Sequence, residues 1–212
     1  MFTDIAWTFN GHWRFNSAVP IDLTTQPNGT LDNYSEELTS FLLERGCIRV
    51  SPLVMVLHLS RPGDSAAIVR GVSLIDHKSY QPDFESSYLH DGAGGSNNTV
   101  LAINLDNPRP RFVTTTSSEM LQVEKISNKP DAFTESTFSI APHLTESITL
   151  AFHTSKLVHE FKLRLDYFVE GVEHRLDIDF EGNSFRVSPG GQDVKQYCVP
   201  WYEHNLKIVP CA

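Results

Sequence analysis

Residues 157–188 constrain the fold of this chain more than any other segment, because their side chains specify a strand register. If the chain turns back at Glu170 and Gly171, apolar residues face apolar residues and opposite charges face each other. The facing pairs are Phe161 with Phe180, Leu163 with Ile178, Leu165 with Leu176, Lys162 with Asp179, Arg164 with Asp177, and Asp166 with Arg175. Such cross-strand pairs stabilise a sheet, and a slip of one residue would lose them all. We therefore predict an antiparallel hairpin.

A second turn at Gly182 and Asn183 would extend this hairpin to a three-stranded meander. It would place Phe180 opposite Phe185, Asp179 opposite Arg186, and Ile178 opposite Val187. The same register puts His159 and His174 on the apolar face, with His174 opposite Tyr167. We interpret both histidines as core or rim residues satisfied by hydrogen bonds rather than as metal ligands.

The rest of the chain has the pattern of an all-β protein. We predict an immunoglobulin-like (Greek-key) β-sandwich of about ten short strands, because short apolar runs are separated by regular turn signals. The predicted strands outside the meander are residues 5–15, 48–59 with a bend at Pro52, 66–75 as the partner of 48–59, 99–105, 112–116, 120–126, 137–140 and 148–152. Residues 77–98 are predicted to be a long loop and residues 189–212 an irregular tail.

One helix is predicted, at residues 34–45. Asn33 and Glu36 have the spacing of a capping box, and Gly46 stands where a glycine commonly ends a helix. We expect this helix to plug one edge or end of a sheet. The 212 residues contain no repeat or composition shift, so residues 1–212 are predicted to form a single domain.

The first predicted strand, residues 5–15, carries an aromatic stripe. Trp7, Phe9, Trp13 and Phe15 share one face if the strand is continuous and bends at Gly11. Packing of these rings in the core is the expected role. An exposed aromatic platform for a sugar or a partner protein is the alternative.

The charge of the chain argues against some partners. With 26 acidic and 17 basic residues, the net charge is −9 when histidine is neutral. Nucleic acids and anionic lipids attract basic surfaces, so we expect neither as a partner. No apolar run approaches the roughly 20 residues of a membrane-spanning helix, and the first residues do not resemble a signal peptide. The protein is expected to be intracellular if Met1 is the natural start, and extracytoplasmic if the chain is an excised ectodomain.

The three cysteines leave two alternatives open. Cys198 and Cys211 could close a short loop, which would suit an oxidising compartment. Three unpaired thiols are the commoner outcome for so sparse a set. Cys47 follows a helix C-terminus, whose negative end raises a thiol pKa, so we do not expect a catalytic cysteine.

No motif with catalytic or metal-binding spacing is evident. The nine histidines include no His-x-x-x-His pair, and no Cys-x-x-Cys occurs. Gly92, Gly94 and Gly95 lack the lysine of a phosphate-binding loop and indicate a flexible loop instead. Asp177 and Asp179 share a strand face but have basic partners, which favours a salt-bridge ladder. We therefore expect no metal, no cofactor and no enzymatic activity.

The resulting hypothesis is a non-catalytic recognition module that binds another protein through loops or an edge strand. Loops 77–98 and 106–118 are the expected contact regions. The candidate binding residues are Trp7, Trp13, Asp91, Asn97, Arg109 and Arg111. A carbohydrate-binding module built on the first strand is the alternative, self-association is a further one, and an enzyme with a dispersed site is the third.

Overall fold

The computed structural model describes residues 4–9, 13–19, 21–26, 34–90, 99–116, 119, 122–126, 129–135, 137–190, 194–198 and 208–211. The strands are β1 (Asp4–Phe9), β2 (Trp13–Ser17), β3 (Ile48–Val50), β4 (Leu53–Ser60), β5 (Ala67–Tyr80), β6 (Ser86–His90), β7 (Thr99–Asn104), β8 (Phe112–Thr115), β9 (Phe138–Ile140), β10 (Thr145–His153), β11 (Val158–Val169), β12 (Val172–Ile178), β13 (Phe185–Ser188), β14 (Lys195–Cys198) and β15 (Val209–Pro210). The helices are α1 (Tyr34–Glu44), α2 (Val123–Ile126) and α3 (Ala132–Glu135), and Leu23–Thr25 forms a short 3₁₀ turn.

The strands form two sheets, which confirms the all-β class. One sheet has the order β1-β4-β10-β7-β8, and the other has the order β15-β14-β6-β2-β3-β13-β11-β5-β9, with β12 also pairing with β11. Both sheets contribute to one buried core. Its members from the first sheet include Leu53, Met55, Leu57, Leu101, Ile103, Leu150 and Phe152, and those from the second include Val69, Phe161, Leu163, Leu165, Phe185 and Val187. The rings of Phe152 and Phe161 lie 4.8 Å apart and join the two layers.

The hairpin of β11 and β12 has the predicted register. Leu163 pairs with Ile178, Leu165 with Leu176, and Tyr167 with His174, whose rings stack at 5.3 Å. Glu170 and Gly171 make the turn with φ values of 53° and 78°, as a two-residue hairpin turn requires. The ion pairs also form, with Arg164 2.7 Å from Asp177, Arg175 3.3 Å from Asp166, and Lys162 3.6 Å from Asp179.

The prediction of the second turn, and of the strand pairing that follows from it, is wrong. The turn residues are Glu181 and Gly182, flanked by a bridge between Phe180 and Asn183, and β13 pairs with β11 rather than with β12. Because β5 pairs along β11 from Val158 to Val169, β12 and β13 follow one another along the other edge. This arrangement sets Phe185 opposite Phe161, in the core between the sheets.

The predicted strand at residues 5–15 is also wrong, because it is two strands. β1 pairs with β4 in the five-stranded sheet, whereas β2 pairs with β3 and β6 in the other sheet. The apolar segment 48–59 divides in the same way at Ser51 and Pro52, where the bend was expected. An alternating pattern shows that one face of a strand is buried, but it does not show which sheet the strand joins.

Segment 66–75 forms a strand, but it does not pair with β4 as predicted. β4 is flanked by β1 and β10. Nearly all of its residues are buried on both faces, as expected for a central strand. β5 extends to Tyr80 and pairs with β11 and β9 in the other sheet.

The helix prediction is confirmed by α1. Gly46 has a φ of 80°, and its N–H donates to Leu43 O while the N–H of Cys47 donates to Leu42 O. These two bonds are the Schellman arrangement that ends a helix at a glycine. Leu38, Phe41 and Leu42 pack with Phe15 and Tyr88, so α1 covers β2 and β6 of the larger sheet.

Several shorter segments differ from the predictions. The predicted loop 77–98 contains the end of β5 and all of β6, residues 120–126 include the helical turn α2 instead of a strand, and the tail contains β14 and β15. The predicted strands near 99–105, 112–116, 137–140 and 148–152 are confirmed as β7, β8, β9 and β10. None of the described helices has both the length and the apolar character needed to cross a membrane.

A disulfide bond joins Cys198 to Cys211 and so links β14 to β15. The alternative of three unpaired thiols is therefore wrong, and the alternative of a Cys198–Cys211 disulfide is confirmed. The two strands also pair, with Cys198 opposite Val209.

Candidate functional site

The loop between β7 and β8 is held to the body of the protein by one carboxylate. Asp106 accepts hydrogen bonds from the backbone N–H of Ser155 at 2.7 Å, from the Ser155 hydroxyl at 3.0 Å and from the Thr154 hydroxyl at 3.0 Å. The loop is further fixed by the bond from Leu105 N to His153 O. The segment after β10 thus positions the start of this loop.

Two histidines continue the network from Asp106 towards the surface. Nε2 of His159 lies 3.2 Å from Asp106 Oδ1, and Nδ1 of His159 lies 2.9 Å from Nε2 of His77. His159 is 2% exposed, whereas His77 is a surface residue, and their rings stack at 5.1 Å. Because a carboxylate only accepts, His159 Nε2 donates to it, and neutral His159 then accepts from His77. We call these three residues the Asp106 relay.

The pKa values in the Asp106 relay reflect burial and hydrogen bonding. Burial alone would raise the pKa of Asp106, but the bonds from Ser155, His159 and Thr154 outweigh it, so that pKa lies below its ordinary value. The pKa of His77 is lowered by burial of its ring and by the neighbouring His159. The relay therefore favours an ionised Asp106 and a neutral His77 near pH 7.

The loop presents two of the predicted binding residues, Arg109 and Arg111, at the surface. The backbone N–H of Arg109 donates to Asn107 Oδ1 at 3.0 Å, which shapes the turn. A guanidinium N–H of Arg111 donates to the carbonyl of Lys129 at 3.2 Å. Within the described part of the chain, the guanidinium of Arg109 makes no ion pair. The loop is thus anchored by Asp106 and exposes two cationic side chains.

The other predicted binding residues are not brought to this loop by any described contact. Trp7 lies in β1 opposite Leu57, and Trp13 lies in β2 opposite His90, on strands of different sheets. Their side chains are outside the described part of the structure, as are Asp91 and Asn97 altogether. Arg109 and Arg111 are the two of these residues whose exposed side chains lie on one described loop.

Sequence reasoning identified His159 as a hydrogen-bonded histidine but missed its partners. Asp106 and His77 are separated from it by 53 and 82 positions, and no local pattern connects them. In the sequence, Asp106 is recognisable only as the first residue of the expected contact loop 106–118. The pairing of β5 with β11, which brings His77 to His159, had not been predicted.

The described residues offer neither a metal site nor an activated thiol. Among the described residues, no three histidine, cysteine or acidic side chains are grouped so that they could hold a metal ion. Burial raises the pKa of the Cys47 thiol to about 12, so this thiol stays protonated at neutral pH.

Comparison with known proteins gave no match. No known protein family, no curated protein and no solved structure is significantly similar to this chain.

Proposed function

We propose that this chain is a non-catalytic recognition module that binds an acidic segment of another protein through loop 106–111. The observation that carries the proposal is the combination of a loop fixed by Asp106 with two exposed arginines on the same loop, Arg109 and Arg111. Binding residues are commonly found on loops that a rigid scaffold positions. Arginine is also suited to carboxylates, since its planar group can donate two parallel hydrogen bonds.

A loop is a better candidate than the edge strand β12. Within the described residues β12 pairs with β11 alone, and its outer positions carry Glu173, Arg175 and Asp177. Glu173 and Arg175 form an ion pair along the strand, and Asp177 forms one with Arg164 of β11. Charged residues at a sheet edge oppose pairing with a further strand. We therefore assign recognition to the loop.

For the topology, we propose an immunoglobulin-like Greek key, which the two packed sheets support. Three parallel strand pairs would be additions to that topology: β10 with β7, β13 with β3, and β14 with β6. Carbohydrate binding on an aromatic platform is the less favoured alternative. It would require the rings of Trp7 and Trp13, which lie on strands of different sheets, to form one exposed surface. Recognition through loop 106–111 requires residues of a single loop only.

Removal of both arginine side chains tests the proposed function. The immobilised Arg109→Ala/Arg111→Ala variant should lose protein partners that the unaltered chain captures, quantified by mass spectrometry. It should also bind a fluorescent polyglutamate peptide at least tenfold more weakly, with wild-type binding falling as salt is raised.

The matched control removes two positive charges elsewhere. Arg70→Ala/Lys195→Ala changes the net charge equally but affects exposed positions on β5 and β14. It should retain the partners and the peptide affinity. If both double variants weaken binding equally, or neither does, recognition through loop 106–111 is refuted.

A further inference from the structure

Segment 208–211 lies along the edge of β14 as a short antiparallel strand. Val209 pairs with Cys198, and the backbone N–H of Cys211 donates to the carbonyl of Gln196 at 3.0 Å. On its other side β14 pairs with β6. The segment therefore occupies the position at which an extended chain can be added to the edge of a sheet.

One side chain, that of Gln26, holds the other side of the segment. Neighbouring residues of a strand direct their backbone groups to opposite sides, so those of Ile208 face away from β14. The N–H of Ile208 donates to Gln26 Oε1 at 2.6 Å, and Gln26 Nε2 donates to the carbonyl of Ile208 at 3.5 Å. Gln26 thus supplies the acceptor and the donor that a neighbouring strand would supply. Pro210, the next residue facing this side, has no N–H to satisfy.

The side chain of Ile208 fills an apolar site, which we call the Ile208 pocket. Ile208 is 3% exposed, whereas Val209 and Pro210 are exposed. The pocket is part of a cluster that includes Phe15 of β2, Leu38, Phe41 and Leu42 of α1, and Tyr88 of β6. An inserted side chain and a hydrogen-bonded backbone are the two features by which a sheet edge recognises an extended peptide.

The disulfide bond keeps the segment in this groove covalently. It joins Cys211 to Cys198 of β14 across a sequence separation of 13 residues. Once the bond opens, the noncovalent contacts and the intervening chain alone retain segment 208–211, and Ile208 is the one of its four residues that is buried. The same segment of a second copy offers identical contacts, so exchange between two copies conserves them.

We propose that the edge of β14, Gln26 and the Ile208 pocket form a binding groove for segment 208–211 of a second copy of this chain. The exchange proceeds by thiol–disulfide chemistry without net oxidation. A glutathione thiolate attacks Cys211 Sγ, which breaks the bond to Cys198 and leaves a mixed disulfide on Cys211. The freed Cys198 thiolate of the other copy attacks that sulfur and expels the glutathione thiolate. The reciprocal step closes the second bond, so two disulfides within copies become two between copies.

Two complementary variants of the full chain test the exchange. Cys198→Ser retains Cys211 on the segment and serves as the donor. Ile208→Asp/Cys211→Ser retains Cys198 in the groove and disables its own segment. In a glutathione redox buffer the mixture should form a disulfide-linked heterodimer, detected by non-reducing electrophoresis, with the Cys198–Cys211 bond identified by mass spectrometry. A heterodimer yield no higher than the homodimer yield of either variant alone would overturn the proposal.

Two aspartates on the donor separate insertion into the pocket from chance collision. Adding Ile208→Asp to the donor should lower the heterodimer yield about tenfold, because a charge replaces the inserted side chain, whereas Val209→Asp at an exposed position should lower it less than twofold. Equal yields from the two donors would refute the assignment.

The unaltered chain provides a measurement that does not depend on the folding of these variants. In the same buffer its dimer fraction, measured by size-exclusion chromatography, should rise with protein concentration up to about 1 mM, the effective concentration of a segment on a short tether. A chain that stays monomeric throughout would contradict the exchange. Arg109→Ala/Arg111→Ala should dimerise as the unaltered chain does, which separates this proposal from recognition through loop 106–111.

Discussion

At the scale of single residues, the Asp106 relay is the feature whose properties depend most on environment. A carboxylate and two imidazoles lie in one line of hydrogen bonds, with the middle group 2% exposed. Partial burial of the His77 ring and the neighbouring His159 both oppose protonation of His77, so its pKa lies below the ordinary value.

The relay makes stability depend on pH in a defined direction. The pKa of His77 is lowered from 6.5 in the folded state, so the folded protein binds this proton less well than the unfolded chain does. Its contribution to stability is complete above pH 6.5 and is lost as the pH falls through the lowered pKa. The pKa of Asp106 is also lowered, and its contribution is lost at a lower pH, as the pH falls below 3.8 through the folded value.

A histidine replacement tests this linkage. Thermal unfolding midpoints measured between about pH 5 and 8 should fall less steeply on the acid side for His77→Asn than for the unaltered chain. His143→Asn is the control, since His143 is an exposed residue whose ring contacts Asp64 and not the relay. Identical pH profiles for His77→Asn and the unaltered protein would show that the pKa of His77 is not lowered as inferred.

At the scale of elements, the hairpin of β11 and β12 organises the larger sheet. β11 is buried at alternate positions and pairs with β5 on one edge and with β12 and then β13 on the other. Its turn depends on two residues with positive φ, Glu170 and Gly171. Local sequence alone can specify such a turn, because the backbone conformation must match the twist of the strands.

Replacement of the turn glycine should destabilise the protein measurably. Gly171 has a φ of 78° and open space around its Cα, so Gly171→Ala costs backbone strain rather than a steric clash. We expect a loss of about 1 kcal/mol in the free energy of unfolding and a melting temperature lower by about 2–4 °C. Denaturant unfolding and calorimetry would measure both.

Gly71→Ala is the matched control for this change. Gly71 lies in β5 without a positive φ, and an added Cβ would have only ordinary contacts, the nearest at 3.6 Å from Asp166. It should be neutral or slightly stabilising. A loss for Gly71→Ala as large as that for Gly171→Ala would mean that the turn conformation is not the cause.

At the scale of the whole molecule, the two sheets enclose one core while the larger sheet continues beyond it. The far strands β14 and β15 lie outside the contacts that form that core, and α1 covers the intervening β2 and β6. The Cys198–Cys211 bond joins the last two strands of this extension. The disulfide thus stabilises the part of the sheet that the shared core does not reach.

Loss of the disulfide should therefore act on this end of the sheet first. The bond closes a sequence separation of 13 residues, for which loop-closure entropy gives about 3 kcal/mol. In Cys198→Ser/Cys211→Ser, amide hydrogen exchange of residues 195–198 should accelerate, and urea unfolding should shift to lower concentration. The double variant should be insensitive to reductant, whereas the unaltered chain under reductant should approach it. Unchanged exchange at β14 would contradict this role.

What the sequence determined by itself is local. The β11–β12 register, the turn at Glu170 and Gly171, and helix α1 with its end at Gly46 were predictable, because residues near one another in the chain specify them. Arg109 and Arg111 were recognisable as loop residues for the same reason. What only the tertiary structure decided is which strands meet: β13 pairs with β11, β1 and β2 lie in different sheets, and the pairing of β5 with β11 brings His77 to His159. Alternating apolar residues show that a face is buried, but the partner is chosen by the free energy of the whole core.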